Sequence, residues 1–332
     1  MPGTGIQLSK VALGSSTFGD QLDEKASFEI IDAALDMGIN MIDTGDVYCG
    51  GESERIIGKF MKGRRDKALI GTKMYLPTGP DVNDRGASRH HMIRALEDSL
   101  RRLQTDYVDI YYIHHPDRIT PMEETLETFD ALVKSGKVRY VGFSNYSAWE
   151  SCDLLWTARH NRLIPPVLAQ NVYNLITRGL EDEMACFLQK HRVGLAIYNP
   201  LAGGLLTGKH KRDHLLENTR YASQMYRDRY CSDSNFDAIE ALTEIAESAG
   251  MTLLEMSLRW SISHSYVSCV LMGFSKTEQL VQNLGIVEKG ALNAEIMTAC
   301  DKVWSKLKGT SAFGYFIPQK DAVGVTYTGT LK

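Results

Sequence analysis

No stretch of the 332-residue sequence is apolar over anything near the roughly 20 residues of a membrane-spanning helix. The N-terminal MPGTGIQLSK lacks the charged-then-apolar pattern of a secretory leader. The six cysteines (Cys49, Cys152, Cys186, Cys231, Cys269 and Cys300) are scattered, and no two stand at the spacing of a metal-binding or redox motif. Free thiols, no resident metal and a cytoplasmic location are therefore expected. An excess of one charge is missing too: 37 basic side chains face 41 acidic ones, for a net charge of −4. That balance argues against a nucleic-acid or membrane partner. There is also no GxGxxG turn after the first apolar run, which counts against an open, doubly wound dinucleotide-binding sheet.

What is present is a rhythm. Hydrophobic residues make up 43% and charged residues 23%, as in a globular protein. Short apolar or β-branched runs recur as KVALG (10–14), NMID (40–43), ALIGTK (68–73), YVDIYYIH (107–114), YVGFSN (140–145), LAQNVY (168–173), GLAIYN (194–199) and SCVLMGF (268–274). Helical patterns fill the gaps. DEKASFEIIDAALDMG places Phe28, Ile31 and Leu35 on one face and stops at Gly38. SRHHMIRALEDSLRRLQ aligns Met92, Leu96, Leu100 and Leu103, with Ser88 as N-cap. TPMEETLETFDALVKSGK opens on Thr-Pro and closes on Ser-Gly. Eight strand–helix units predict a parallel sheet closed into a (β/α)8 TIM barrel, a single domain over 1–332. Two segments break the rhythm: a long polar loop after the seventh strand (201–236) and an aromatic tail (310–332). Long loops in compact domains are commonly functional.

Barrels of this kind carry their chemistry at the C-terminal ends of the strands. There stand Asp43 with Tyr48 in its loop, Lys73, His114 followed by His115, Ser144 and Asn145, Gln170, Tyr198, and Gly273 with Ser275. Each alone has a plainer reading as a cap, a packing ring or a surface charge. Together they make an acid–base device. A free tyrosine has a pKa of about 10, too high for work near neutrality. A neighbouring ammonium lowers it. Lys73 would tune Tyr48, Asp43 would hold Lys73, His114 would orient a carbonyl, and Tyr48 would be the general acid. Lys73 as a Schiff-base nucleophile of a lyase is the competing use of the same residues.

At these residues the sequence resembles the aldo-keto reductase family. IDTGDVYCGGESERIIG is similar to its Asp…Tyr segment, ALIGTK to its lysine strand and DYVDIYYIHHPD to its histidine strand. GKVRYVGFSNY, AQNVYNLI, NPLAGGLLTGK and VLMGFSKTEQLVQNL resemble its cofactor-binding segments. The resemblance implies Asp43, Tyr48, Lys73 and His114 as the catalytic set and NADPH as the cofactor. It also implies that Ser144, Asn145 and Gln170 hold the nicotinamide carboxamide and that Tyr198 stacks on the ring. Ser15 and Asp43 would also contact the cofactor, and the segment with Asn199, Pro200, Leu201, Gly203, Leu205 and Lys209 would fold over its pyrophosphate. The turn Gly273, Ser275 and Lys276 would start a helix that receives phosphate. Gln279, Gln282 and Asn283 would meet the adenosine end, and Arg220 and Lys276 a 2′-phosphate. Asn199 and Gln282 depart from the serine and glutamate frequent in the family. The N-terminal hairpin of such barrels is expected to shrink to a turn around PGTGI.

The implied activity is reduction of an aldehyde or ketone to an alcohol by hydride transfer, in a monomer or homo-oligomer acting on a small carbonyl compound. The pocket mouth is expected to include Phe18, Cys49, Met74, Tyr75, His115 and Tyr146, with Phe313, Tyr315 and Phe316 of the tail as a substrate loop. A keto-sugar or other bulky-ketone reductase, and an NADPH-binding redox-sensing partner subunit, are the alternatives.

Overall fold

The structure is a computed structural model that describes residues 1–216 and 219–308. Eight parallel strands form a closed barrel in sequence order: β1 (Val11–Gly14), β2 (Met41–Asp43), β3 (Leu69–Met74), β4 (Val108–Ile113), β5 (Val138–Ser144), β6 (Leu168–Val172), β7 (Gly194–Tyr198) and β8 (Cys269–Met272). β8 closes on β1 through the pairs Val11–Val270, Ala12–Leu271 and Leu13–Met272. Each expected strand is found within two residues of its expected bounds. The strands read as nearly unbroken apolar runs because both their faces are buried, one toward the helices and one toward the barrel axis.

The connections carry α1 (Glu24–Asp36), α2 (Glu52–Met61), α3 (Arg89–Leu103), α4 (Met122–Lys134), α5 (Ala148–His160) and α6 (Met184–His191). Further along come α7 (Gln224–Tyr230), α8 (Asp233–Ser248), α9 (Leu253–Ile262), α10 (Thr277–Glu288) and α11 (Ala294–Leu307). Capping chemistry sets the starts. Asp23 accepts from Ala26 N at 2.8 Å and Ser88 from His91 N at 3.3 Å, and Ser147 with Glu150 closes a reciprocal capping box on α5. On α3 the expected stripe of Met92, Leu96, Leu100 and Leu103 is fully buried. On α1 the buried face is rotated: Ile30, Ile31 and Ala34 meet the core, while Phe28 and Leu35 lie half-buried on the flank. Phe28 packs edge-on against Phe60 of α2, with ring centroids 5.3 Å apart, and so serves the helix–helix contact.

The barrel axis is filled by alternate residues. Ala12, Met41, Ile110, Tyr112, Leu168, Ala196 and Cys269 form one inner cluster. Tyr112 dominates this layer, and two glycines make room for it. A methyl group at Gly71 would stand 3.1 Å from Tyr112 Cε2, and one at Gly142 would collide with the ring. The N-terminal turn covers the lower end: Thr4 N donates to Met1 O at 3.3 Å, and Met1 and Leu8 pack on the inner cluster. Among the described residues no helix is long and apolar enough to cross a membrane, and the six cysteines are unpaired.

Gly142→Ala is expected to destabilise the protein by about 1–3 kcal/mol through overpacking against Tyr112. Chemical denaturation should show a lower midpoint at an unchanged slope, and Tyr112→Leu in the same background should recover part of the loss.

Candidate active site

The inner cluster is apolar below and polar above, a consequence of the two-residue period of a strand. Two positions beyond Met41 stands Asp43; beyond Gly71, Lys73; beyond Tyr112, His114; beyond Gly142, Ser144; beyond Leu168, Gln170; beyond Ala196, Tyr198. The parallel register places Asp43 opposite Gly71, Lys73 opposite Tyr112 and Ser144 opposite Gln170. Tyr48 enters from the loop after β2. Its N–H donates to Gly45 O at 3.0 Å, and a side chain at Gly45 would press on the Tyr48 ring at 3.3 Å. Cys49, Gly50 and Gly51 then take left-handed conformations (φ 50°, 63° and 86°), turning the chain directly into α2.

At the centre is a buried ion pair. Lys73 has no exposed surface. Its ammonium donates to Asp43 Oδ1 and, at 2.6 Å, to Thr44 O. The other carboxylate oxygen of Asp43 accepts from Gln170 Nε2 at 2.9 Å. Ser15 braces the same strand end, donating to Asp43 O from its N–H at 3.0 Å and its hydroxyl at 2.9 Å. Burial works to lower the Lys73 pKa, but the charges of Asp43 and then Tyr48, with the hydrogen bonds to both, outweigh it and hold the ammonium above its ordinary value. The Lys73 nitrogen lies 5.0 Å from the centroid of the Tyr48 ring.

Tyr48 and His114 pack edge to face with centroids 5.8 Å apart. Burial raises the Tyr48 pKa, Lys73 lowers it, and Asp43 raises it again; the net direction is upward. Lys73 thus opposes burial without overcoming it, which differs from the simple lowering expected from residue types alone. The phenol is therefore held protonated. Burial first, then Lys73 and His115, push His114 well below its ordinary value. His114 is a neutral imidazole, able to donate one hydrogen bond.

Above this group opens a cleft of about 680 Å³. One wall is a connected set of amides and hydroxyls. Ser144 Oγ donates to Gln170 O at 2.7 Å, Asn145 Nδ2 to His114 O at 2.9 Å, and Tyr198 Oη to Asn145 Oδ1 at 2.7 Å. Ser15, Asn199, Pro200, Leu201, Gly203, Lys209 and Arg220 continue the lining, and Gly273, Ser275, Gln279, Gln282 and Asn283 complete it along α10. Gln279 Oε1 accepts from both Ser275 N and Ser275 Oγ at 3.0 Å, which fixes the turn. Lys276 is the N-cap of α10 and supplies no side-chain cap, so the first-turn N–H groups are left without a side-chain acceptor at the cap. The donors suit a long ligand with an amide at one end and phosphates at the other.

Other expected residues sit elsewhere. Lys73 lies beneath the cleft floor, and Leu205, Phe18, Met74 and Tyr146 are buried in the core, away from the lining. Lys276 is exposed outside the lining. Cys49 also stands outside it, its thiol directed at Ser16 O at 3.5 Å. Tyr75 is set back behind His115, which does line the cleft, at 6.0 Å between ring centroids. Phe313, Tyr315 and Phe316 fall outside the described residues. Lining residues that pattern reasoning missed include Ser16, Thr17, Gln21, Leu76, Met225, Tyr226 and Arg229. The signal available was the run MYRDRY inside the long loop, where aromatics alternate with arginines.

A second carboxylate, Asp46, is 3% exposed, and neither of its oxygens has a hydrogen-bond partner among the described residues. Burial, with Glu54 adding to it, raises its pKa to about 8. A carboxyl raised in the folded state keeps its proton while the unfolded chain loses it, so this group makes stability fall between about pH 4 and about pH 8. Asp46→Asn is expected to remove that slope and to stabilise the protein at neutral pH, on the order of 3 kcal/mol. Thermal melts from pH 5 to pH 8 on both proteins check it.

Comparison with known proteins agrees with this architecture. Residues 10–305 match the pattern of the Aldo/keto reductase family. A probable voltage-gated potassium channel subunit beta of Oryza sativa subsp. japonica is 32% identical over 93% of this chain and 97% of its own length. A protein of the same description from Arabidopsis thaliana is 33% identical over 86% and 89%. The uncharacterized oxidoreductase YrpG of Bacillus subtilis (strain 168) is 33% identical over 94% and 97%. A closed parallel eight-stranded barrel, a family match over nearly its whole length and relatives of this identity lead to one conclusion: the chain belongs to the aldo/keto reductase family.

Proposed function

We propose that the protein is an NADPH-dependent reductase that converts an aldehyde or ketone to an alcohol. The observation that carries this is the ammonium of Lys73, buried, fixed by Asp43 and Thr44 O, and set 5.0 Å from the ring of a protonated tyrosine at the floor of a cleft. Bound NADPH would supply the hydride. Ser144, Asn145 and Gln170 would hold its amide, and Tyr198 would offer its ring to the nicotinamide. The uncapped α10 N-terminus, Lys209 and Arg220 are suited to its phosphates. Gly203 and Gly204 adopt positive φ (68° and 107°), so backbone can approach a ligand closely there.

The chain's own residues then divide the work at the carbonyl. Neutral His114 donates a hydrogen bond to the carbonyl oxygen and fixes its direction. Tyr48 gives that oxygen its proton. Lys73 stabilises the phenolate that remains, at the moment when burial would penalise it most. Asp43 keeps the ammonium in place. This arrangement favours acid–base use of Lys73 over a Schiff base, since an ammonium engaged by a carboxylate and a carbonyl is a poor nucleophile.

A second role is favoured by the relatives described as potassium channel beta subunits: a cofactor-loaded barrel acting as a redox-sensing partner subunit. The full acid–base set retained here supports turnover as the primary function.

Tyr48→Phe is expected to lower kcat by about 10²–10⁴-fold, the usual contribution of a general acid, with NADPH affinity retained. NADPH absorbance and fluorescence titration give the two readouts. Unchanged turnover would rule out Tyr48 as the acid.

A further inference from the structure

Two of the four tryptophans stand in the open. Trp149 and Trp156 of α5 are 66% and 68% exposed, while Trp260 is fully buried and Trp304 half-buried. Their spacing of seven residues is close to two helical turns, so both indoles lie on one face. α5 packs between α4 and α6, and its outward residues are Trp149, Cys152, Asp153, Trp156, Arg159 and His160. Ile119, 75% exposed, stands at the N-terminal end of the same helix. It follows Arg118, whose guanidinium donates to Glu150 Oε1 on the first turn of α5 at 2.8 Å. Bulky apolar side chains gathered in water on one flank mark a surface that another molecule covers.

The charges on this face identify the cover. Asp153 and Arg159 lie three residues before and three after Trp156. Neither forms an ion pair among the described residues; Arg159 shares a hydrogen bond with His191 Nδ1 of α6 at 3.2 Å. When two copies of α5 pack antiparallel about a two-fold axis at Trp156, each residue meets the one equally far beyond the axis. Asp153 then comes level with the partner's Arg159, and Arg159 with the partner's Asp153. Trp156 meets its own copy, Cys152 faces the partner's His160, and Trp149 reaches the partner's half-buried Leu163. A second register would join Trp149 to Trp156, with the axis between Cys152 and Asp153. It would bring the two Asp153 carboxylates together near the axis and leave Arg159 with no acid opposite. Charge therefore selects the register centred on Trp156. An acidic or a basic partner would satisfy one sign only, whereas a second copy of this chain satisfies both.

We propose that the protein forms a homodimer in which α5 packs antiparallel on α5 of a second copy, with Trp156 on the two-fold axis and Asp153 paired with the partner's Arg159 on each side. The exposed parts of the four indoles would bury roughly 400–700 Å². That is about a third to a half of a standard interface, so the helix flanks complete the contact and the dimer dissociates on dilution. α5 lines no part of the cleft, so each copy keeps its own site and the proposal is independent of the reductase reading.

Sedimentation velocity on the full chain over a range of concentrations tests it. The wild type is expected to pass from monomer to dimer as concentration rises, and Trp156→Glu to stay monomeric. Asp153→Arg and Arg159→Asp each set like charges opposite one another twice in the dimer, so each is expected to weaken dimerisation about tenfold or more. The double variant Asp153→Arg with Arg159→Asp exchanges the two charges and is expected to recover most of the wild-type affinity. Circular dichroism checks that the variants fold, and recovery in the double variant separates a lost interface from a lost fold. A wild type that is monomeric at every concentration overturns the proposal. So does a dimer that survives Trp156→Glu, one that neither single charge reversal weakens, or a double variant that dimerises no more tightly than the single ones.

Discussion

The ammonium of Lys73 has no exposed surface, and left without partners such a charge would cost several kcal/mol. Much of the upper barrel can be understood as the response to it. Asp43 supplies the opposite charge and Thr44 a carbonyl. Gln170, from the far side of the barrel, saturates the remaining carboxylate oxygen. Ser15 holds the strand end that carries Asp43, and Ser53 at the start of α2 is hydrogen-bonded to Ser15 in turn. The chain of contacts links β1, β2, β3, β6 and α2 through one cation. A hydrophobic residue at position 73 would ask nothing of these neighbours. The ion pair is thus better explained by what it does to Tyr48 than by stability.

The barrel makes this arrangement possible by a simple alternation. Inward-facing residues lie two apart on every strand, so an apolar layer around Tyr112 can sit directly below a polar layer around Lys73. The apolar layer excludes water from beneath the ion pair, which strengthens every charge interaction above it. The price is close packing: Tyr112 fits only because Gly71 and Gly142 lack side chains. Tyr48 and His114 come from just beyond the strand ends, where the chain is free to turn. The same burial that raises the Tyr48 pKa lowers that of His114, which keeps the phenol protonated and the imidazole neutral.

The strands and the polar layer were legible because both are written in short-range pattern. A buried parallel strand is a compact apolar run, and a run ending on Asp43, Lys73 or Gln170 breaks its own chemistry at the rim. The rotated face of α1 was not legible, since it depends on Phe28 finding Phe60 on the next helix. Placement of the substrate wall was harder still. Phe18, Met74 and Tyr146 follow strand ends or loops in the sequence, yet their rings and chains turn into the core, because large apolar groups gain more there than at a wet rim. Arg229 stayed hidden for the opposite reason: an arginine in a polar loop reads as solvated until the fold brings it to the cleft wall beside Tyr226 and Tyr230. Lysine tuning of Tyr48 was foreseen in kind, but its outcome depends on the depth of burial, which no residue pattern reports.

The account stands on Lys73 lowering the pKa of a phenol that burial raises. The most direct measurement is an NMR titration of Tyr48 with the ring carbon at the hydroxyl enriched in ¹³C, in the wild type and in Lys73→Met. The account predicts that the Tyr48 phenol becomes harder to ionise once the ammonium is gone, so that its titration moves to higher pH or leaves the accessible range. A Tyr48 that titrates at the same pH in both proteins would contradict it.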